Sequence, residues 1–186
     1  MGKLFDNLHL VLAIGLGLAV ALMALFHTGD VSLIGIMQWL HVFFGITWIG
    51  LLYYFNFVQI PTMPQVPAEL KPAVSKYIAP KALFFFRWGA ALTVLTGLIL
   101  AHLLGYEVEA LTFQEPYQLI GAGMWLALIM AFNVWFIIWP NQKKALGLVE
   151  ADDATKAKSA RTAMVTSRVN TMLSIPMLYA MTAFRW

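Results

Sequence analysis

The feature that most constrains this chain is an apolar segment, residues 33–60, that contains no charged residue. About 20 helical residues cross the ~30 Å hydrocarbon core of a bilayer, so this segment predicts a transmembrane helix. Four more apolar segments occur, and the composition, 61% hydrophobic and 11% charged, agrees with a membrane protein. We expect an all-α integral membrane protein with a single transmembrane domain over residues 1–186. Its five predicted transmembrane helices are approximately residues 8–26, 33–60, 82–104, 118–139 and 163–184.

The positions of lysine and arginine predict the orientation, because loops on the cytoplasmic side are enriched in these residues. With the N-terminus inside, 11 of the 12 basic residues fall on the inner side and only Arg185 falls outside. The predicted outer connections, residues 27–32 and 105–117, carry Asp30 and three glutamates instead. The predicted topology is N-in and C-out. The short connections predict that helices two to five form an antiparallel bundle, with the first helix outside it.

The two predicted inner loops differ in character. Residues 61–81 include five prolines, which predict that the first half of this loop is not helical, whereas residues 70–78 are expected to form a short interfacial helix. Residues 151–163 are rich in Ala, Lys and Asp and predict a solvated helix that leads into the fifth span. Topology and contact with anionic lipid explain the basic loops, so the net charge of +3 does not indicate nucleic-acid binding.

Polar residues within the predicted spans indicate where a site could lie, because polar side chains in a membrane helix face other helices or a bound group. One narrow stripe of the second helix carries Gln38, His41, Gly45, Trp48, Leu52, Asn56 and Gln59. A second polar set on the inner side consists of Asn56, Gln59, Arg87, Asn133, Asn141, Arg168, Asn170, Thr171 and Ser174. From this set we take Asn56, Asn133, Arg168 and Asn170 as the candidate catalytic residues. The structural alternative is contact between helices, with Arg87 and Arg168 reaching the inner interface.

The histidines suggest a cofactor, since imidazoles from two helices of a bundle are usual axial ligands of a b-type haem. His41 and His102 both fall in the outer half of their predicted spans. We expect a b-type haem with these two residues as iron ligands and with Trp48 and Gly45 lining the site. Either histidine could instead be a hydrogen-bonded contact between helices.

The absence of cysteine excludes thiolate metal sites and c-type haem. No hydrolytic motif occurs either, which leaves redox chemistry or ligand binding.

Three segments, residues 39–55, 133–143 and 167–177, resemble in order the signatures of one family. It is the membrane domain of bacterial membrane-anchored, cytochrome-c-linked urate hydroxylases, the urate oxidase N-terminal family. The resemblance implies a multi-pass protein of the bacterial inner membrane that oxidises urate toward 5-hydroxyisourate and passes electrons to a cytochrome c. Long members end in a cytochrome c domain with a C-x-x-C-H site. Because this sequence has no cysteine, the implied partner is a separate periplasmic cytochrome c.

Two other functions stay open. The chain could be a non-catalytic accessory subunit of a membrane respiratory complex, with a polar stripe that serves only helix packing; it would then copurify with partner subunits and bind no cofactor. The order of His41 before Trp48 and Gly50 also resembles small haem-containing membrane proteins of the bacterial protoporphyrinogen oxidase type. Such a protein would bind and turn over porphyrin without any response to urate.

Overall fold

A computed structural model of the chain describes residues 2–26 and 32–184, and all regular secondary structure in these ranges is helical. The α-helices are α1 (Gly2–Phe5), α2 (Leu8–Phe26), α3 (Leu33–Tyr53), α4 (Ile60–Thr62), α5 (Lys71–Ala73), α6 (Ala79–Leu103), α7 (Glu107–Leu111), α8 (Gln118–Phe132), α9 (Trp139–Ala145) and α10 (Asp153–Ala183). Three π-helical segments connect some of them, namely π1 (Tyr54–Gln59), π2 (Val74–Ile78) and π3 (Asn133–Ile138), and Met63–Gln65 forms a 3₁₀ turn. The predicted all-α fold is confirmed.

Four helical segments of the described chain are long and apolar enough to cross a membrane. They are Leu8–Phe26, Leu33–Gln65, Lys71–Leu103 and Gln118–Ala145, and they correspond to the first four predicted spans. The predicted fifth span lies within α10, which is not one of these four segments. The count of five spans therefore stays a prediction. The outer connection predicted at residues 27–32 lies, except for Ser32, outside the described residues, and so does Arg185.

Contacts along the chain divide it into two units, residues 1–36 and 37–186. The single transmembrane domain stays a prediction. In the first unit, α2 begins after Asn7, whose side-chain Oδ1 accepts a hydrogen bond from the Leu10 N–H at 3.2 Å. Such a side chain satisfies a backbone donor that has no partner within the helix. The second unit contains the rest of α3 and all later helices, and it carries the candidate site.

Within the second unit, α3 and α6 pack as antiparallel neighbours through small residues. The His41 ring lies against Gly97, and the Trp48 backbone lies against Gly89, so residue numbers rise along α3 as they fall along α6. A Cβ added at Gly97 would lie 2.7 Å from Cε1 of His41, and one at Gly89 would lie 3.2 Å from the Trp48 nitrogen. Glycine therefore allows these two helices to approach closely, as small residues do in membrane helix pairs.

The same antiparallel arrangement relates α10 to its neighbours. Gly123 of α8 faces Ala180 of α10, and ten residues further along the chain Asn133 bonds to Asn170. The Tyr53 hydroxyl of α3 shares a hydrogen bond of 2.9 Å with Ser174 of α10. These contacts place α3, α6, α8 and α10 in one bundle, in agreement with the antiparallel arrangement predicted for helices two to five.

Each π-helical segment is followed by a proline at the second position after its end: Pro61, Pro80 and Pro140. Proline donates no backbone hydrogen bond and its ring clashes with the carbonyl four residues earlier, and a wider turn before it accommodates both effects. The expectation that the first half of residues 61–81 is not helical is wrong for residues 61–65, where Ile60–Thr62 and Met63–Gln65 continue the helix, and is confirmed for residues 66–70, which are not helical. Residues 71–78 are helical, as expected for the second half.

The last long helix, α10, begins ten residues before the predicted fifth span and includes most of the predicted solvated helix. Asp152 caps it: its Oδ1 accepts from the Thr155 N–H and its Oδ2 from the Thr155 hydroxyl, both at 2.8 Å. These hydrogen bonds, that from the backbone N–H first, lower the pKa of Asp152 below its usual value. The cap explains why the helix begins at this position rather than within the apolar run.

Candidate functional site

Two of the predicted catalytic residues, Asn133 of π3 and Asn170 of α10, form one interhelical pair. Asn133 Nδ2 donates to Asn170 Oδ1 at 2.8 Å, and Asn170 Nδ2 donates to the Met130 carbonyl at 2.9 Å. Asn170 has no exposed surface, and both of its amide atoms are paired. The pair therefore holds α8 and π3 to α10, and two of the four hydrogen bonds that the Asn170 amide can make are used within the bundle.

Asn56 of π1 connects α3 to α10 and keeps a free acceptor. Its Nδ2 donates to the Leu52 carbonyl at 2.9 Å and to the Ser167 hydroxyl at 2.8 Å. Its Oδ1 is buried and has no hydrogen-bond partner in the described part of the chain. Asn56 is therefore positioned by two bonds through its nitrogen while its oxygen remains able to accept a third.

The fourth predicted catalytic residue, Arg168, is exposed on α10, while its neighbour Ser167 is buried. Arg87 of α6, which belonged to the polar set but not to the candidate catalytic residues, is 9% exposed. Its guanidinium carbon lies 3.4 Å from the centroid of the Trp139 ring, and its carbonyl accepts a hydrogen bond of 3.2 Å from Trp135 Nε1. The buried cation at this end of the bundle is therefore Arg87.

Several buried polar atoms at the same end of the bundle have no hydrogen-bond partner among the described residues. They are Arg87 Nη1, Asn56 Oδ1, Gln59 Oε1 and Gln142 Oε1. Their elements are neighbours, since Phe55 and Phe86, which precede Asn56 and Arg87, have ring centroids 5.6 Å apart. Gln142 lies on α9 three residues after Trp139, the ring that Arg87 covers. We call Asn56, Gln59, Arg87, Trp139 and Gln142 the polar cluster.

Buried polar groups are almost always paired in folded proteins, so a group of unpaired atoms in one region calls for an explanation. In the polar cluster the unpaired atoms are one cationic donor and three amide acceptors. Such a set is complementary to a small molecule that carries both anionic oxygen and N–H groups. The sequence signal that could have identified Arg87 is its position inside an otherwise apolar span, six residues after Lys81.

The predicted haem ligand His41 is half-buried between α3 and α6. Its Nδ1 lies 2.8 Å from the Thr93 carbonyl, which can only accept, so Nδ1 carries the proton and Nε2 keeps its lone pair. The two residues predicted to line a haem lie close by: a Cβ added at Gly45 would lie 3.8 Å from the Thr93 methyl carbon, and Trp48 is fully buried, with no hydrogen-bond partner for its Nε1 among the described residues.

The second predicted haem ligand, His102, lies elsewhere. Its side chain is 77% exposed and its Nδ1 is 3.0 Å from Glu107 Oε2. His102 lies nine residues after Thr93, the partner of His41. On α6 this spacing corresponds to a rise of about 13.5 Å and places the two residues on opposite sides of the helix. The structure therefore does not bring His41 and His102 together, and a haem held by both does not fit this arrangement. The described residues also contain no group of three or more His, Cys, Asp or Glu that could hold a metal ion.

His41 is also remote from the polar cluster. Fifteen residues of the same helical segment separate it from Asn56, which corresponds to about 22 Å. A ligand that contacts Arg87 and Gln142 is therefore out of reach of His41. Any role of His41 as a ligand belongs to a second site in the other half of the bundle.

These observations define an all-helical protein with four segments apolar enough to cross a membrane and with a polar cluster at one end of its bundle. Its residues 105–185, from the connection that contains α7 to the end of α10, match the family described as Urate oxidase N-terminal. The match includes the second and third of the three sequence signatures and the cluster residues Trp139 and Gln142. The family resemblance found in the sequence is thereby confirmed for this part of the chain. No curated protein and no solved structure matches the chain significantly.

Proposed function

We propose that this protein is a redox protein of the bacterial inner membrane that binds urate in the polar cluster, oxidises it toward 5-hydroxyisourate and passes the electrons to a separate cytochrome c. The family match over residues 105–185 supports a function related to urate. The single observation that carries the assignment to this site is the set of unpaired atoms, three amide oxygens and Arg87 Nη1, on elements that contact one another through Phe55 with Phe86 and Arg87 with Trp139.

The chemistry of urate suits these atoms. Urate is a flat purine with ring N–H groups and carbonyl oxygens, and at neutral pH it is an anion. The amide oxygens of Asn56, Gln59 and Gln142 would accept hydrogen bonds from ring N–H groups, and Arg87 would donate to an anionic oxygen. A site that is built to pair with such groups rejects analogues that lack them, because its buried polar atoms are then left unpaired.

The proposed reaction balances with water and a one-electron acceptor. Urate and one water give 5-hydroxyisourate, two protons and two electrons, and two ferricytochrome c molecules each take one electron. The residues of the polar cluster would orient the substrate for this step through hydrogen bonds, which is the positioning contribution to catalysis.

A b-type haem is a separate part of the proposal, and only His41 of the two predicted ligands is suited to hold it. Its Nδ1 is fixed by the Thr93 carbonyl and its Nε2 is available, as in histidines that bind metals. A bound haem would supply one-electron chemistry. Absorption spectra of the purified protein, oxidised and reduced, test this, and loss of a Soret band in His41→Ala but not in His102→Ala is the expected result.

For the membrane, we propose five spans with the N-terminus inside and the C-terminus outside. Because the chain has no cysteine, single-cysteine variants report topology without background labelling. In intact cells stripped of their outer membrane, a cysteine at Gln114 should react with a membrane-impermeant maleimide, and one at Glu150 should react only after permeabilisation. Reaction of both, or of neither, before permeabilisation would contradict a membrane crossing between the two positions.

The activity test uses the purified protein in lipid nanodiscs with urate and ferricytochrome c. We expect urate-dependent reduction of the cytochrome, and a decrease in kcat/KM of about fivefold for each of Gln59→Leu and Gln142→Leu, because one hydrogen bond contributes about 1 kcal/mol. Asn141→Leu is the matched control, since Asn141 Nδ2 bonds to the Ile137 carbonyl of its own helix at 2.8 Å. If the wild-type protein neither binds urate nor reduces the cytochrome, the proposal is wrong.

One observation favours the second candidate function, a non-catalytic subunit of a membrane complex. Several polar contacts in the bundle connect helices, among them Asn133 with Asn170, Asn56 with Ser167, and His41 with Thr93. A purely structural polar stripe would show this arrangement. Stable copurification with other subunits, together with no binding of urate or haem, would favour this function over the first.

A further inference from the structure

We infer that Arg87 and Lys143, which both lie near the Trp139 ring, form a binding site for an oxyanion. The inference that the bound anion is urate rests on the proposed function, whereas the oxyanion site itself does not. The ligand chemistry is an anionic oxygen that accepts from a guanidinium and lies near an ammonium group. Two sources can supply it: a soluble flat organic anion and the phosphate of an anionic lipid.

The first reason is the state of Arg87. The residue is 9% exposed, its Nη1 is buried, and this atom has no hydrogen-bond partner among the described residues. Within those residues the salt bridges are His102 with Glu107 and Lys156 with Asp153, so no described carboxylate pairs with Arg87. A buried cation without an anionic partner is unfavourable, and a bound anion would lower this cost.

The second reason is a second cation at the same aromatic ring. Trp139 begins α9, and Lys143 lies one turn later on the same helix, with its Nζ 5.6 Å from the ring centroid. The Arg87 guanidinium carbon is 3.4 Å from the same centroid. Two positive charges that share one ring repel each other, and the ring compensates only part of this through cation–π attraction. An anion that contacts both cations would replace the repulsion by attraction.

The third reason is an acceptor that is also unpaired. Gln142 precedes Lys143 and its Oε1 is buried without a partner in the described chain. A ligand with an N–H group beside its anionic oxygen could donate to this atom while Arg87 donates to the oxygen. This pattern occurs in the anions of cyclic ureides and imides, including purines with carbonyl groups, and is absent from a lipid phosphate.

The test measures anion binding to the full chain in nanodiscs of phosphatidylcholine. Three probes are used: urate, inorganic phosphate, and phosphatidylglycerol that is added to the nanodiscs. Arg87→Gln should weaken binding of the anion at least tenfold, since a hydrogen bond to a charged group is stronger than a neutral one. Lys143→Gln should weaken it about two- to fivefold. The matched controls Arg161→Gln and Lys144→Gln change exposed cations and should bind within twofold of the wild type.

A second variant keeps the test decisive if Arg87→Gln does not fold. Gln142→Glu adds a carboxylate to α9, three residues after the Trp139 ring that Arg87 covers. If Arg87 and residue 142 share one site, this carboxylate should abolish binding of all three probes and raise the melting temperature of the ligand-free protein. Unchanged anion binding in Gln142→Glu would overturn the oxyanion site. Unchanged binding of every probe in a folded Arg87→Gln protein would do the same.

The probes also separate the two sources. The ligand is a soluble organic anion if urate binds to the wild-type protein, if Arg87→Gln abolishes this binding and if phosphatidylglycerol does not displace the urate. The wild-type protein could instead bind phosphatidylglycerol but not urate, with Arg87→Gln abolishing the lipid binding. This result would support the oxyanion site and refute the urate site of the proposed function. Failure to bind any of the three anions in the wild-type protein refutes the oxyanion site itself.

Discussion

The contact between His41 and Gly97 allows a sharp test of how α3 and α6 pack. A Cβ at residue 97 would lie 2.7 Å from Cε1 and 2.9 Å from Nδ1 of the imidazole. Ordinary van der Waals contact begins near 3.4 Å, so the ring would have to move by about 0.7 Å. The ring is not free to move, because Nδ1 is bonded to the Thr93 carbonyl at 2.8 Å. Gly97→Ala should therefore destabilise the bundle.

The magnitude follows from three contributions. Overpacking of a well-filled contact costs about 1–3 kcal/mol, and loss of a hydrogen bond between membrane helices costs about 0.6 kcal/mol. Replacing glycine by alanine inside a helix returns about 1 kcal/mol through the lower entropy of the unfolded chain. The net destabilisation of Gly97→Ala is therefore about 0.6–2.6 kcal/mol.

The assay is reversible unfolding of the protein in mixed detergent micelles, followed by circular dichroism. The matched control is Gly50→Ala, because a Cβ at residue 50 meets no atom within 4 Å, and we expect it to be neutral or stabilising by up to about 1 kcal/mol. In the double variant His41→Ala/Gly97→Ala the clash is absent, so the cost of Gly97→Ala should disappear. Equal stabilities of Gly97→Ala and Gly50→Ala would refute this account of the contact.

Three further predictions concern other parts of the second unit. Gly121→Ala should destabilise the protein by about 3 kcal/mol or more in the same assay, because its Cβ would overlap the backbone carbonyl of Ala110, which cannot rotate away; a neutral result would contradict the close approach of α7 and α8. Asn170→Ala should cost about 1–3 kcal/mol, since it leaves the Asn133 amide and a backbone carbonyl unpaired inside the bundle; a neutral result would mean that this pair is replaced by other contacts. The third concerns acid: the lowered pKa of Asp152 means that its carboxylate stabilises α10 above the pKa of the unfolded chain, and that this stability is lost as pH falls through the lower folded pKa. Asp152→Asn should therefore weaken the acid dependence of amide exchange at the start of α10, and an unchanged dependence would show that the cap does not titrate.

The apolar spans could be predicted from sequence because they follow from composition alone. The segment predicted at residues 8–26 agrees with α2, Leu8–Phe26, since polar residues flank a run that is apolar except for His9. The predicted stripe was also informative: Trp48 and Leu52 are fully buried, and His41 and Asn56 bond to neighbouring helices. A helical period of 3.6 residues places such side chains on one face regardless of what packs against it.

The ends of the helices were less predictable. Three π-helical turns allow the helices to continue to or through Pro61, Pro80 and Pro140, where the residue type alone predicts interruption. The widened turn is a response of the whole backbone to a missing donor, and no single residue encodes it. For this reason the helical segments extend further than the apolar runs that identified them.

Residue type and spacing along the chain were sufficient to predict the all-helical class, four of the five expected apolar spans and the family that residues 105–185 match. Which polar residues meet depends instead on how the helices pack. Arg87 and Arg168 both interrupt apolar runs, yet one is buried against Trp139 and the other is exposed. His41 and His102 have similar settings in sequence but opposite surroundings. The physical reason is that burial and pairing depend on which face of each helix its neighbours cover, and that is a property of the packed bundle.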